Sequence, residues 1–324
     1  MARPDPTPPP GEFELIARYF RPLAAGREGA LGLADDAALI DVSPGERLVV
    51  TADALVAGIH FLADDPPDRI ARKMLRSNLS DLAAMGAKPL AYFMTCCFPR
   101  PLEESWLAGF AAGLAEDQRE FEIALMGGDT TATPGPLTLS LTALGTVEAG
   151  RELRRSTARA GDLVAVSGTI GDAALGYALR SGRLTTGEGA EMLLSRHYLP
   201  QPRMILGRKL VGLASSCMDV SDGLAGDLAH IAETSGLAAV IEAAKVPLSP
   251  PARAILARDP QWLMTVLTGG EDYELLFTVP PARESALRDL PVTVIGRMHP
   301  GRGVSVLDDA GHPLDLGAGG YRHF

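Results

Sequence analysis

Residues 122–131 read EIALMGGDTT, and residues 217–224 read CMDVSDGL. In both, a short apolar run of strand character opens into small residues and aspartate. Gly127-Gly128-Asp129-Thr130-Thr131 follows the run Glu122–Met126, and Ser221-Asp222-Gly223 follows Cys217–Val220. A strand feeding glycine lets backbone approach a ligand closely, and the aspartate and hydroxyl side chains then offer oxygens. Outward from these two segments, helical spacing alternates with β-branched runs. Helices are predicted at Glu12–Leu23, Asp68–Met85, Leu102–Gln118, Asp172–Arg180, Arg203–Leu213 and from Leu224. Strands are predicted at Arg47–Thr51, Leu90–Phe98, Leu137–Val147, Leu163–Val166, Ala238–Glu242, Glu274–Val279, Val292–Ile295 and Gly303–Leu307. Alternation in both halves gives an α/β (α+β) fold in two domains, each with helices packed on a sheet. The text turns polar and basic after Val147, which sets an N-terminal domain at 12–148 and a C-terminal domain at 149–324. Residues 1–11, rich in proline, form a disordered lead-in.

The length of 324 residues agrees with two domains. Forty Asp and Glu against thirty Lys and Arg leave a net charge of −10. That balance speaks against a nucleic-acid partner, which calls for a basic face. The longest uncharged stretch, Thr130 to Val147, is interrupted by Pro134 and Pro136 and carries many threonines, so no membrane span is expected. The first residues contain no apolar signal region. Cys96, Cys97 and Cys217 form no disulfide framework and suit a reducing cytoplasm.

Several mechanisms are excluded by missing motifs. The chain contains no G-x-x-x-x-G-K-[ST], no H-R-D or D-F-G, no H-E-x-x-H and no G-x-S-x-G. What recurs instead is aspartate among small neighbours, in ADDAA (34–38), TAD (51–53), NLSD (78–81), GGDTT (127–131) and MDVSDG (218–223). Any one of these reads equally as a turn former or helix cap. Together they hold seven aspartates, without which the net charge would move from −10 to −3. Oxygen-only clusters favour hard cations such as Mg²⁺, which binds through one or two carboxylates plus substrate phosphates. Seven acids point to several ions on a nucleotide's phosphates. Arg154 and Arg155 suit either phosphate or a solvated linker. His60 and Glu271 read either as a half-buried histidine and a turn residue or as ligand contacts, while Cys96-Cys97 reads as core.

In this order the segments resemble the thiamine-monophosphate kinase family, within the superfamily of aminoimidazole ribonucleotide synthetase and selenophosphate synthetase. The resemblance runs from Gly11-Glu12-Phe13 to Gly320-Tyr321-Arg322-His323-Phe324. Its most specific marks are LVAGIHF (55–61), NLSDLAAMGA (78–87), GGDTT (127–131) and GGEDYEL (269–275). It implies an N-terminal mixed sheet that pairs in a homodimer and a C-terminal α/β sheet domain. It also implies ATP-dependent phosphorylation of thiamine monophosphate to thiamine diphosphate by direct in-line transfer. By motif position, Asp36, Thr51, Asp53, Asp81, Asp129, Asp219 and Asp222 are expected to hold several Mg²⁺ ions. Gly128, Arg155 and Ser221 are expected to contact ATP, and His60, Glu271 and Tyr321 the thiamine substrate, with no side chain as general base. Asp35 ranks below Asp36.

The chain departs from the family at Ala34 and Ala52. Ala52 lacks a hydroxyl, which puts one metal ligand in doubt unless water or the Ala52 carbonyl fills the place. Another ATP-dependent synthetase of the superfamily, or a non-catalytic subunit that binds magnesium and nucleotide, is the alternative. No cysteine precedes Cys96 and the chain ends in Phe324. These features disfavour the selenophosphate synthetase and hydrogenase-maturation relatives.

Overall fold

The computed structural model describes residues 12–185 and 188–316. The first half runs α1 (Glu12–Leu15), β1 (Glu46–Val56), α2 (Pro67–Ala84), β2 (Lys88–Pro99), α3 (Glu104–Phe121), β3 (Leu125–Thr133) and β4 (Thr138–Glu148). There follow β5 (Leu163–Ser167), α4 (Asp172–Arg180), α5 (Ala190–Tyr198), α6 (Met204–Leu210), β6 (Ser216–Asp219) and α7 (Leu224–Ser235). The chain continues through β7 (Leu237–Glu242), α8 (Pro250–Arg258), α9 (Trp262–Thr268), β8 (Leu275–Val279), β9 (Val292–Pro300) and β10 (Gly303–Leu307). Among the described residues the strands form two sheets, ordered β1-β4-β2-β3 and β10-β7-β9-β5-β8-β6.

The helical stripe expected on α2 is buried in full, with Ile70, Met74, Leu75, Leu79 and Leu82 all at or below 2% exposure. Each such side chain contributes roughly 1.5–3 kcal/mol through removal from water. In the six-stranded sheet β5 lies between β9 and β8 and is antiparallel to both. Flanked on both edges and covered on both faces, its sequence LVAVS is buried at every position. β8 and β6 are buried throughout as well, and a hydroxyl pair, Ser216 Oγ to Thr278 Oγ1 at 2.9 Å, satisfies the polar side chains between them.

Two expectations need correction. The helix expected over Glu12–Leu23 stops as α-helix at Leu15 and continues as a π turn (Ile16–Phe20) and a 3₁₀ turn (Arg21–Ala24). Pro22 explains the change, because its ring removes a donor and collides with the carbonyl four residues back in an α-helix. The glycine pair 127–128 was expected at a strand end, yet β3 runs through it to Thr133. β3 pairs parallel with β2, with a register shift after Tyr92 and Met94 opposite Gly128. A Cβ at Gly128 would lie 1.9 Å from the Met94 carbonyl oxygen, so the approach of two strands already demands glycine. α5, α8 and α9 were not read from the sequence.

Contacts divide the chain into two units, neither continuous in sequence. The first comprises Met1–Val42, Ala52–Leu75 and Leu90–Leu144, and the second Ser43–Thr51, Arg76–Pro89 and Gly145–Phe324. In the first, α2 and α3 are joined by Arg72, whose Nε meets Asp117 Oδ1 at 2.8 Å and whose Nη1 meets Glu116 Oε2 at 2.6 Å. In the second, α4 and α5 pack so closely that a Cβ at Gly176 would stand 2.1 Å from the Leu193 carbonyl oxygen. That contact explains a glycine in a helix interior. Gly176→Ala should therefore cost about 1–3 kcal/mol of stability through overpacking. The expected result is a lower urea midpoint with an unchanged m-value.

Candidate active site

β6 is an edge strand of its sheet, and Asp219 is its last residue. Pairing with β8 sets Asp219 opposite Leu275 and leaves it 5% exposed. Burial and the neighbouring charge of Asp81 push its carboxyl up to about 8, while the Ser80 hydroxyl pulls the other way. Asp81 sits near the end of α2, opposite the strand β1, from which Thr51 Oγ1 donates to Asp81 Oδ2 at 2.6 Å. Burial raises the Asp81 pKa, against the Thr51 hydrogen bond and the positive field of Arg155. Thus Thr51, Asp81, Arg155 and Asp219 form one interacting group.

The turn after β6 is held from within its own helix. Asp227 lies in the first turn of α7 at 1% exposure. Its Oδ2 accepts the backbone N–H groups of Ser221, Asp222 and Gly223 at 3.0, 3.0 and 3.1 Å. Desolvation pushes Asp227 up to about 7, those hydrogen bonds oppose the shift, and the charge of Asp222 adds to it. Sequence reading singled out Asp219 and Asp222 but missed Asp227. The spacing SDGLAGD (221–227) carried the signal, an acid one helical turn past an N-terminal glycine.

The segment 269–275 packs on the same turn. Glu271 N–H donates to the Ser221 carbonyl at 2.8 Å, and Tyr273 N–H to the Val220 carbonyl at 2.8 Å. Glu271 and Tyr273 adopt positive φ of 71° and 51°, uncommon for residues with side chains. Asp272 accepts the N–H groups of Gly171 at 2.6 Å and Ala173 at 3.2 Å, which anchors the start of α4, and burial drives its pKa well above the usual range. Glu274, 1% exposed, is forked by Arg203 and takes the Ser167 hydroxyl. These two acids are structural braces. They leave Glu271, with Oε2 3.3 Å from Nδ1 of the buried His197, as the more accessible acid of the motif. His197 lies on α5, among the elements not read from the sequence, although Leu193 and His197 have the i, i+4 spacing of one helix face.

The first unit carries the remaining described residues. Along β1 the exposure alternates, with Asp53 on the inward face of buried Leu55. Thr51 has the same parity on this strand. Ala52 has the opposite parity, so its side chain is not on the Thr51–Asp53 face and a hydroxyl there would not join them. Ser140 Oγ donates to the Asp53 carbonyl at 3.0 Å. Asp129 stands mid-strand opposite Thr95, and its charge adds to the burial and Cys97 effects that push the Cys96 thiol up. Asp36 lies in an exposed bend, its N–H donating to Asp35 Oδ1 at 2.9 Å, which makes Asp35 the turn former. His60 Nδ1 accepts the Val56 N–H at 3.0 Å, so the neutral ring carries its proton on Nε2. Lys73 Nζ donates to the His60 carbonyl at 2.9 Å. Tyr321 lies outside the described residues.

Among the described residues no three His, Cys, Asp or Glu side chains converge as a ready-made metal site. The acids interact pairwise instead, Asp81 with Asp219 and Asp222 with Asp227.

Residues 34–147 match the AIR synthase related protein, N-terminal domain, and residues 159–309 match the corresponding C-terminal domain. The thiamine-monophosphate kinase of Caulobacter vibrioides is 43% identical over 306 residues, spanning 92% of this chain and 86% of its own. That of Escherichia coli K12 is 42% identical over 324 residues, spanning 97% and 98%. The crystal structure of thiamine-monophosphate kinase from Stenotrophomonas maltophilia K279a superposes with a TM-score of 0.83 at 42% identity, covering 94% of this chain and 98% of that one. AaThiL complexed with AMPPCP and TMP superposes at 0.79, with 31% identity over 97% of both chains. Hydrogenase maturation protein HypE in complex with ATP shares the fold at 21% identity and a TM-score of 0.76. With both domain families matched in order and identity above 40% sustained over nearly the full length of both sequences, the chain belongs to the thiamine-monophosphate kinase family of AIR synthase related proteins.

Proposed function

We propose that this protein transfers the γ-phosphoryl group of ATP to thiamine monophosphate, giving thiamine diphosphate and ADP. The observation that carries this reading is the likeness, 31% identity over 97% of both chains, to AaThiL complexed with AMPPCP and TMP. An oxygen of the acceptor phosphate forms a bond to the γ-phosphorus as the bond from γ-phosphorus to the β–γ bridging oxygen breaks, and the electron pair leaves on ADP. Such transfer has a loose transition state, so positioning and charge stabilisation supply most of the catalysis. Two phosphate anions must meet, and the oxygen-only donor set fits Mg²⁺, which is commonly held by one or two carboxylates plus phosphates. Bound magnesium would supply charge neutralisation. Thr51, Asp81, Asp219 and Asp222 of the second unit, and Asp36, Asp53 and Asp129 of the first, are the proposed ligands.

Arg155, Ser221 and Gly128 are proposed to contact ATP, and His60, Glu271 and Tyr321 the thiamine substrate. Glu271 offers a carboxylate suited to an aminopyrimidine or a thiazolium cation. Two further features are proposed with this reading. Leu48 and Val50 lie exposed on the edge strand β1, which supports a homodimer. Three free cysteines, two of them buried, support a cytoplasmic setting. No described helix is long and apolar enough to cross a membrane.

The direct test is to incubate the purified protein with ATP, Mg²⁺ and thiamine monophosphate and separate the products. Thiamine diphosphate should form with one ADP released per turnover. Activity only with an aminoimidazole precursor or selenide as acceptor would overturn the assignment.

Asp81→Asn and Asp219→Asn should each lower kcat by at least about 10²-fold, on the scale of a lost electrostatic stabiliser. Circular dichroism should stay that of the parent. Added Mg²⁺ should raise the thermal midpoint of the parent protein and do so less in either variant.

No general base is required, because the acceptor phosphate, with a second pKa of about 6, is already largely dianionic at neutral pH. The His60 ring fits a binding role, since its Nδ1 accepts from Val56, which fixes the ring's tautomer and orientation. His60→Gln should raise KM for thiamine monophosphate more than it lowers kcat. The acid limb of kcat between about pH 5 and 9 should persist in the variant, because it belongs to the substrate. A flat, low kcat profile would make His60 the base.

A further inference from the structure

We infer that Asp227 is a positioning residue for the nucleotide, and that it acts by filling the anion-binding place at the start of α7 with its own carboxylate. The inference rests on the proposed roles of Ser221 and Asp222. Three successive backbone N–H groups ahead of a helix form the kind of concave donor set that elsewhere cradles a phosphate. Here all three, from Ser221, Asp222 and Gly223, converge on the single oxygen Asp227 Oδ2 at 3.0–3.1 Å. A phosphate at those amides would have to displace that oxygen and would meet a buried acid. The turn therefore does not bind phosphate through backbone donors, and it presents side chains instead.

The turn is fixed on its other side as well. The Ser221 carbonyl accepts the Glu271 N–H at 2.8 Å, and a Cβ at Gly270 would stand 2.0 Å from that same carbonyl. At Gly223 φ is 120°, and a Cβ there would stand 2.5 Å from the Thr268 carbonyl oxygen. With one side locked by segment 268–271 and the other by Asp227, the Ser221 hydroxyl and the Asp222 carboxylate leave the backbone in one set of directions. Asp227 fixes those directions without needing to touch the nucleotide.

Because one oxygen accepts all three bonds, an amide oxygen in its place can keep them. Asp227→Asn should preserve the turn and Asp227→Ala should release it, so the pair separates acceptor geometry from charge. Binding of Mg²⁺ with the non-hydrolysable analogue AMPPCP, followed by calorimetry on the full chain, needs no turnover. Asp227→Ala should weaken it about 10-fold or more, and Asp227→Asn by less than about 3-fold. Amide hydrogen exchange at residues 221–223 should accelerate in the Ala variant alone. In the kinase assay, KM for ATP should rise in the Ala variant while KM for thiamine monophosphate stays within about 2-fold.

Unchanged AMPPCP affinity in a folded Asp227→Ala protein would overturn the inference, as would an Asn variant as impaired as the Ala variant. If Ala fails to fold, Asp227→Ser, too short to reach the three amides, takes its place with the same expectations. Absence of thiamine monophosphate phosphorylation by the parent protein, with the affinity pattern intact, would refute the proposed reaction and leave the role of Asp227 standing.

Discussion

Burial of two neighbouring carboxyl groups is the constraint around which this part of the second unit is arranged. Asp81 and Asp219 come from different elements, a helix end and a strand end, and each is held largely out of water near the other. An isolated buried carboxylate costs several kcal/mol even after relaxation. A protein of marginal stability keeps such a pair only where the rest of the fold fixes it or a function requires it. The surroundings are built accordingly. Thr51 donates to Asp81, Arg155 lends positive potential, and the fully buried strands β6 and β8 prevent Asp219 from swinging to solvent.

The acids around this pair divide into two kinds that look alike as text. Asp227, Asp272 and Glu274 are satisfied by protein donors, namely backbone amides for the first two and Arg203 with Ser167 for the third. Asp219, Asp81 and Glu271 face one another, a hydroxyl or a histidine instead. The first kind is tied into the chain by amides and a guanidinium, and the second stands among other side chains of the motifs. In GGEDYEL both braces, Asp272 and Glu274, follow Glu271, which sits at positive φ.

Much of this was legible before the structure. Period-3.6 spacing located α2, and β-branched runs located the central strands β5 and β8, because burial on one or both faces writes itself into residue type. The acids proposed as ligands stand out in the sequence because aspartate recurs among small residues at five places. The misses have physical reasons. The glycines at 127–128 look like a strand end, but a parallel neighbour at van der Waals limit needs glycine mid-strand just as much. α5 mixes Arg196, His197 and Tyr198 into a short helix whose apolar face is too narrow to stand out, so His197 stayed hidden. Asp227 was invisible as a ligand of its own backbone, since an acid in a first helical turn is also what the helix dipole favours. Motif position alone puts one ligand in doubt at Ala52, and strand parity sets its side chain on the face opposite Thr51 and Asp53.

The interleaving of the two units bears on how the chain is made. Thr51 and Asp81 are synthesised early, yet they belong by contact to the unit that ends at the C-terminus. Asp219 cannot meet Asp81 until well over a hundred further residues have left the ribosome. Long-range closures of this kind are slow and leave apolar surface exposed while they wait. The acid pair therefore closes late relative to the synthesis of its first member, Asp81. Order of synthesis thus sets the earliest moment at which the pair can form: a chain that stops before Asp219 holds Asp81 alone.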